Sequence, residues 1–231
     1  MELNLPFLEK TFILALRGIP VSLEITVLSI LLAALPAYLM ALARLYHVKI
    51  ASQIIKVFIS LIRGTPMIVQ ILFIYSLLPS LINAVAVRCS SSFNVFDIHP
   101  VVYAVVVFTL HTAVMLSEVI RASITTVDRG QLDAAYALGM QRQQAFRLII
   151  LPQAAVEAVP NIGTLTVNLF KETSLSFLMT VKDITAIAKI EASYGYNYIE
   201  AYVDIFIIYL IMCSLIQLVF YIVEKALNHA R

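Results

Sequence analysis

The sequence predicts an all-α membrane protein with five transmembrane helices, an amphipathic N-terminal segment and a short helical segment between two spans. Of its 231 residues, 61% are hydrophobic and 13% are charged, whereas soluble domains average about half and about a quarter. Five stretches approach the roughly 20 apolar residues that a spanning helix requires. Such a chain cannot bury its apolar surface in its own interior, so lipid must cover part of it.

The N-terminal residues 2–17 are expected to form an amphipathic segment that lies on the membrane surface. Leu5, Leu8, Phe12 and Leu16 recur there at helical spacing. The segment lacks a basic start and a small-residue cleavage site, so it does not resemble a cleaved signal peptide.

Five apolar stretches are the predicted spans. The first, third and fifth are uninterrupted, whereas the second and fourth contain polar or helix-breaking residues. The connections 79–100, with the serine run Ser90–Ser92, and 181–201 are expected to be external loops, which either contact an extracytoplasmic partner or simply connect helices. The predicted spans are 19–43, 54–78, 101–120, 154–179 and 202–223.

The distribution of Lys and Arg predicts the orientation, because basic residues favour cytoplasmic loops. One set of connections holds eight of them: Arg44, Lys49, Arg121, Arg129, Arg142, Arg147, Lys225 and Arg231. The other set holds five: Lys10, Arg17, Arg88, Lys182 and Lys189. The first set is therefore expected to be cytoplasmic, with the N-terminus outside and the C-terminus inside.

The segment 128–152 is the one long non-membrane stretch with a helical pattern. Asp128 is expected to cap a helix of about two turns, because its carboxylate can accept from free backbone N–H groups. Gly139 is placed to end that helix in a left-handed conformation. A second helix would carry Arg142 and run towards Pro152 at the entry to the fourth span.

The residues alone leave two interpretations of this segment open. It is either an ordinary amphipathic surface helix or a docking element for a soluble partner. In a docking element, the small Ala134 and Ala135 would allow close approach, and Leu132, Tyr136 and Leu138 would supply apolar contacts. The chain contains no GxxxxGK[ST] phosphate loop, so any active work would draw its energy from another chain.

Four motifs resemble those of a known family. Asp133-Ala134-Ala135, three residues, Gly139, nine residues, Ile149 and then Leu151-Pro152 resemble the EAA loop of ABC-importer permeases, with Asp133 where the family has Glu. Three further motifs resemble the RGTP, acid-x-x-Arg and K-[DE]-TSL segments of polar-amino-acid permeases in that superfamily. They are Arg63-Gly64-Thr65-Pro66 with Gln70, Glu118-Val119-Ile120-Arg121, and Lys171-Glu172-Thr173-Ser174-Leu175.

The resemblance implies a type I ABC importer permease fold in a single transmembrane domain, 1–231, located in the bacterial cytoplasmic membrane. It implies an extracytoplasmic amino-acid-binding protein and a second permease subunit, either an identical copy or a paired sister permease. It also implies an ABC ATPase dimer that uses ATP and Mg, while this chain itself binds no cofactor or metal. The ATPase-docking residues would be Leu132, Asp133, Ala134, Ala135, Tyr136, Leu138, Gly139 and Arg142. We call 128–152 the coupling segment.

The motif 63–66 interrupts the predicted second span, with its arginine close to mid-depth. Pro66 removes one helical N–H and frees the backbone near Ile62, and the glycine permits close approach. Broken helices at membrane depth are tolerated where they line a cavity; a packing kink with the arginine at the interface is the alternative. Thr65, Met67 and Gln70 would line the cavity with the arginine and the glycine.

Glu118 lies one turn inside the membrane from Arg121. It would either pair with that arginine at i, i+3 or face a cavity and bind the α-ammonium group of an amino acid. His111 is expected to be a packed or helix-contact histidine rather than a ligand. The neighbouring residues that would line the cavity are Thr112, Met115 and Ser117.

One face of the predicted fourth span carries a polar stripe. Its members are Asn161, Thr164, Asn168 and Lys171. Four polar residues on one face favour a water-lined or subunit-facing surface over a single interhelical hydrogen bond. The stripe's lysine and Glu172 would neutralise each other or pair with Arg63 and Glu118. Glu24 and Asp204, near span ends, are expected at the membrane interface.

The leading functional prediction is the channel-forming permease subunit of an ATP-driven importer, which moves a polar or charged amino acid by alternating access. The alternative is an ion- or proton-coupled secondary amino-acid transporter, which would need no motor. A membrane enzyme is disfavoured, because the chain contains no HExxH or GxSxG motif, and a net charge of +2 gives no reason to expect a nucleic-acid partner. The substrate side chain stays open.

Overall fold

The computed structural model describes residues 3–89 and 97–229, and all regular structure in these residues is helical. Short 3-10 turns join α1 to α2 and follow α8, and a π-helical stretch joins α7 to α8. The helices are α1 Leu5–Ala15, α2 Ile19–Leu45, α3 Lys49–Gly64, α4 Met67–Arg88, α5 Pro100–Thr126, α6 Arg129–Ala137, α7 Arg142–Ala145, α8 Leu151–Glu172, α9 Ile184–Ser193 and α10 Tyr198–His229.

The described residues contain 5 helical stretches long and apolar enough to cross a membrane, which confirms the predicted number. The second span, however, is Met67–Arg88 rather than 54–78. Lys56 and Arg63 lie on exposed positions of α3, so this helix is amphipathic and fails as a span. The expectation that Arg63 sits at mid-depth of a span is therefore wrong, because the break at Pro66 separates α3 from the span that follows.

The external loop expected at 79–100 is also shorter than predicted. α4 continues through Pro79 to Arg88, since a membrane helix tolerates proline where the freed carbonyl finds another partner. The serine run Ser90–Ser92 lies outside the described residues.

Helix α2 packs mainly against α5. The buried residues of α2 are mostly small and form one stripe along the helix: Ser22, Ile25, Thr26, Ser29, Ala33, Ala37 and Ala41. Small side chains let two helix backbones approach closely, which is how membrane helices gain packing contacts without a hydrophobic driving force. The hydroxyl of Thr26 donates to the carbonyl of Ser22 at 2.7 Å, so this polar group is satisfied within its own helix.

A second core lies where α1, α9 and α10 meet. Residues 181–201 were expected to be an external loop, but α9 occupies Ile184–Ser193 and α10 begins at Tyr198. Ala188 and Ala192 of α9 are fully buried against Ala201 of α10. A Cβ at Gly18 would overlap the backbone nitrogen of Ile184, so only glycine permits this close approach at the α1–α2 junction. The alanine spacing marks one buried helical face.

The N-terminal helix is fastened to this second core. As predicted, residues near the N-terminus form a helix, but Thr11 and Ala15 are its buried positions, whereas Leu5 remains 67% exposed. The ammonium of Lys10 pairs with Glu191 of α9 at 3.0 Å, and the backbone nitrogen of Asn4 donates to Glu200 of α10 at 2.9 Å. α1 is therefore part of the helix bundle.

Asp204, which was expected near the membrane interface, is fully buried within the helix bundle on α10. It follows Ala201 and precedes Ile208 on the face that packs into the second core. Its two carboxylate oxygens have no hydrogen-bond partner among the residues that the structure describes. A single acidic residue near the end of a span does not indicate whether its side chain faces the helix bundle or its surroundings.

Asp183 begins α9 and is fully buried. Its side chain accepts a hydrogen bond from the backbone nitrogen of Ala186 at 2.8 Å, and the hydroxyl of Tyr209 donates to its other oxygen at 3.5 Å. Burial raises the pKa of Asp183 to about 6, while the hydrogen bonds from α9 partly oppose that shift. Asp183 thus caps the N-terminus of α9, but this places an ionisable carboxyl group in the interior.

We predict that Asp183→Asn removes a pH dependence of stability and keeps the cap, because the amide oxygen accepts the same bond. The folded state keeps its proton up to about pH 6, whereas the reference pKa is 3.8. Wild-type protein therefore loses stability relative to the variant as pH rises between these values, by up to ~3 kcal/mol. Thermal unfolding midpoints in detergent at about pH 4 and about pH 7.5 measure this. Parallel shifts of both proteins would contradict it.

Candidate functional site

Gln70 repairs the backbone that the break between α3 and α4 leaves open. Pro66 has no N–H, so the carbonyl of Ile62 loses its helical donor. The side-chain nitrogen of Gln70 donates to that carbonyl at 2.7 Å and to the carbonyl of Thr65 at 2.9 Å. The predicted opening of the backbone near Ile62 is confirmed, and a buried side chain from the next helix fills it.

His111 links this repair to a carboxylate on α8. Because the amide nitrogen of Gln70 is occupied as a donor, its oxygen accepts from Nδ1 of His111, at 3.1 Å. Nε2 of the same ring lies 3.7 Å from a carboxylate oxygen of Glu172. His111 is buried, as expected of a packed or helix-contact histidine, and its two nitrogens face Gln70 of α4 and Glu172 of α8.

A cavity of about 330 Å³ lies between α5 and α8, and His111 and Glu172 line one end of it. Four of the predicted substrate-binding residues line it as well: Thr112, Met115, Thr164 and Asn168. Asn161 of the polar stripe completes the wall on α8. Val119, Leu165 and Leu169 complete the lining. The cavity therefore combines apolar walls with a few amides, hydroxyls and one carboxylate, as small-molecule sites commonly do.

The remaining residues predicted from the broken helix and α5 lie elsewhere. Met67 packs against the core formed by α2 and α5, and the hydroxyl of Ser117 donates to the carbonyl of Val114 at 2.7 Å. Thr65 donates to Leu61 of its own helix at 3.0 Å. Arg63 and Gly64 are exposed. The sequence motif therefore places these residues around the break rather than around the cavity.

A cluster of charged residues lies beyond the cavity on α5. Glu118 forms an ion pair with Arg44 at the end of α2 and a second one with Arg121 at 3.0 Å. The open alternative of an i, i+3 pair is therefore present, and Arg44 is a partner that the sequence did not indicate. Both carboxylate oxygens of Glu118 face guanidinium groups in this structure, and Arg63 lies within electrostatic range of Arg44.

Lys171 belongs to a different surface from Glu172. Its ammonium donates to Asn168 at 3.3 Å. Among the described residues it forms no ion pair with Glu172 or Glu118, so the expected neutralisation of Lys171 is not present. Lys171 lines an open groove of about 610 Å³ between α8 and α10. Other polar residues in this groove are Thr164, Asn168, Ser214, Gln217 and Glu224. The polar stripe on α8 therefore faces both the cavity and this groove.

The coupling segment has the predicted two-helix form. Asp128 caps α6 by accepting from the backbone nitrogen of Gly130 at 3.0 Å, and Gly139 ends it with φ 80. The nitrogen of Met140 donates to the carbonyl of Ala135 at 3.0 Å, which is the hydrogen bond of a glycine-terminated helix end. α7 then begins after Gln141 with a capping box.

The exposed face of α6 differs in part from the expected docking set. Ala135 is only 1% exposed and packs against its own chain, so it does not present its backbone to a partner. Asp133, Ala134 and Leu138 are exposed, with Leu138 at 84%. Leu132 and Tyr136 line a groove beneath the helix, and the guanidinium of Arg142 lies over the ring of Tyr46.

Comparison with known proteins adds a family match, two related chains and one solved structure. Residues 26–230 match the family described as binding-protein-dependent transport system inner membrane component. The chain is 34% identical over 210 residues to the L-cystine transport system permease protein TcyL of Bacillus subtilis (strain 168), covering 91% of this chain and 85% of that protein. It is 33% identical over 227 residues to the octopine transport system permease protein OccM of Rhizobium radiobacter, covering 98% and 91%. A crystal structure of an amino acid ABC transporter with histidines matches with a TM-score of 0.83 at 28% identity, covering 98% of this chain and 100% of that one.

We predict that Gln70→Leu lowers the stability of the folded chain by about 1–3 kcal/mol, because two carbonyls and His111 lose their partner in an apolar surrounding. Gln53→Leu, on an exposed position of α3, is the matched control and should change stability by less than about 0.5 kcal/mol. Thermal unfolding in one detergent compares the two. Equal midpoints for both variants would show that Gln70 does not hold the break.

Proposed function

The chain belongs to the family of binding-protein-dependent transport system inner membrane components, and we infer from this that it is the channel-forming permease subunit of an ATP-driven amino-acid importer. The observation that carries this conclusion is the match over residues 26–230, which includes the coupling segment. Related chains are named as permeases for L-cystine and octopine. The ion- or proton-coupled alternative has no support from these relationships.

We propose that the energy enters through the exposed face of the coupling segment. In this family the ATPase is a separate partner, and here a dimer of ATPase subunits would bind ATP and Mg and carry out hydrolysis. Leu138 and the Asp133–Ala134 pair form a face that no part of the described chain covers. Ala135 and Gly139 define the shape of that face, Ala135 by packing inward and Gly139 by ending α6.

The cavity between α5 and α8 is the proposed substrate site. Glu172 is the carboxylate on its wall, and His111 at 3.7 Å is the group opposite it. We assign the substrate's α-ammonium group to Glu172 rather than to Glu118, whose two oxygens already face Arg44 and Arg121. Thr112 and Asn168 would then hydrogen-bond the rest of an amino acid, and Met115 would contact its side chain.

A second permease subunit is proposed to cover the groove between α8 and α10. Lys171, Gln217 and Glu224 line this groove on the outside of the helix bundle. Polar groups at membrane depth avoid lipid and face a partner or water. An identical copy or a paired sister permease would supply that partner, and the five spans of one chain would close a pathway only with it.

The chain is proposed to lie in the bacterial cytoplasmic membrane, in the orientation that the distribution of Lys and Arg predicts. Because α3 precedes the second span, Lys56 and Arg63 join the connection that also holds Arg44 and Lys49. The set that faces the cytoplasm then contains ten basic residues, against five on the other side. The N-terminus is therefore placed outside, where the amino-acid-binding protein would dock, and the coupling segment inside.

The chain is further proposed to be one transmembrane domain, 1–231. Neighbouring residues of α8 support this, since Leu169 belongs to the core around α2 and α5 and Phe170 to the core around α1, α9 and α10. One helix thus contributes to both cores, which supports a single folding unit.

Reconstitution tests this function. Proteoliposomes with the chain, its ATPase and its binding protein should take up a labelled amino acid only with ATP. Leu138→Asp should reduce copurification of the ATPase by roughly tenfold or more, because it places a charge in the centre of the docking face. Gln143→Asp adds the same charge on exposed α7 and should have little effect. Uptake driven by an ion gradient without ATP would overturn the proposal.

Glu172→Gln tests the substrate site. The amide keeps the size of the side chain but removes its charge, so uptake should fall about tenfold to hundredfold, as expected for a lost bond to a charged group. ATPase copurification should stay unchanged. Glu24→Gln, on an exposed position of α2, serves as the control. Unchanged uptake in Glu172→Gln would move the ammonium site elsewhere.

A further inference from the structure

The end of α2 holds Tyr46 in a defined place. The nitrogen of Val48 donates to the carbonyl of Ala43 at 3.0 Å, and His47 adopts φ 51. This is the closed helix end in which one residue takes the left-handed conformation. Tyr46, the last residue before that turn, donates its own N–H to Leu42 at 2.9 Å. The hydrogen bonds at this helix end therefore fix the backbone that carries the Tyr46 ring.

The ring of Tyr46 contacts the coupling segment at two points. The guanidinium carbon of Arg142 lies 5.0 Å from the ring centroid, within the distance of a cation–π interaction. The ring of Phe146 lies 6.3 Å away at an interplanar angle of 57°, which is a tilted aromatic pair. We call Tyr46, Arg142 and Phe146 the clamp.

The same end of α2 also reaches α5 in the membrane. Arg44, two residues before Tyr46, pairs with Glu118. One short stretch of chain thus joins the coupling segment on one side and the charged cluster beyond the cavity on the other. Almost a hundred residues separate Tyr46 from Arg142 along the chain, so their side-chain contact joins α2 directly to a distant part of the sequence.

We propose that Tyr46 is a positioning residue that transmits movement of the coupling segment to α2 and to the Arg44–Glu118 ion pair. Arg142 then acts on Tyr46 and not on the ATPase. The inference rests on the proposed function, because it assumes that a motor moves the coupling segment. A small groove of about 210 Å³ beneath α6, lined by Tyr46, Leu132 and Tyr136, leaves room for the clamp to shift without a clash.

Two variants separate transmission from docking. Tyr46→Leu keeps apolar volume but removes the π face, and Arg142→Gln removes the cation. Both should retain the copurified ATPase and its basal hydrolysis, yet lose amino-acid-stimulated hydrolysis and uptake by about threefold to tenfold. Tyr46→Phe keeps the ring and should restore coupling. Arg147→Gln removes an equally exposed cation of the same segment and should behave like wild type.

A double variant tests whether the two residues act as one unit. Tyr46→Leu combined with Arg142→Gln should be no worse than either single variant, because the second change removes a contact that is already lost. Loss of the ATPase in Arg142→Gln alone would show that this arginine docks the motor. The clamp proposal would also be overturned if the double variant lost as much coupling as the product of the two single effects. Wild-type coupling in Tyr46→Leu would overturn it as well.

The outcome is distinguishable from a failure of the proposed function itself. If the wild-type complex shows no ATP-dependent uptake, the importer assignment fails before any variant is compared. If Tyr46→Leu does not fold, judged by its thermal midpoint, Arg142→Gln decides alone, since its side chain is exposed. Normal stimulated hydrolysis in that variant would then refute the clamp.

Discussion

The interior of a lipid bilayer offers no hydrogen-bond partners, and this constraint shapes the chain wherever a polar group enters the apolar layer. The break at Pro66 leaves two carbonyls without helical hydrogen bonds. Gln70, in the first turn of α4, donates to both carbonyls, and its side-chain oxygen accepts from His111. The broken helix, α4 and α5 are thereby locked together before any substrate is considered.

Three threonine hydroxyls on the spans meet the same constraint within their own helices. Thr26, Thr164 and Thr166 each donate to a carbonyl four residues earlier, so these groups cost little at membrane depth. The small stripe of α2 then allows close approach to α5, and Gly18 allows close approach to α9. Close backbone approach therefore makes these two helix contacts, beside the large apolar side chains of the two cores.

Structural features that depend on neighbouring residues could be predicted from the sequence, whereas contacts between distant helices could not. The cap at Asp128, the left-handed Gly139 and the opening at Pro66 depend on a few neighbouring residues, and each is confirmed. The second span was misplaced because a hydropathy count ignored the amphipathic face of α3. The spacing of the alanines in α9 indicates a buried helical face, but this stretch was predicted to be a loop.

The contacts at Glu118 show why such partners escape a sequence. Its pairing with Arg121 follows from helical spacing, but Arg44 lies on another helix 74 residues earlier. The same holds for Glu172 with His111, and for the buried Asp204, since periodicity does not say which neighbour a helical face meets. Pairwise geometry between helices had to come from the structure.

The connectivity of the cavity gives the proposed transport a physical route. Its two walls are α5 and α8, and the coupling segment is the covalent link between them. A force on that segment therefore acts directly on the spacing of the walls, without an intermediate element. The contact of Tyr46 with the segment brings α2 into the same movement, and α2 holds Glu118 through Arg44. In the proposed importer, one push would thus change the cavity and the charged cluster beyond it together, as alternating access requires.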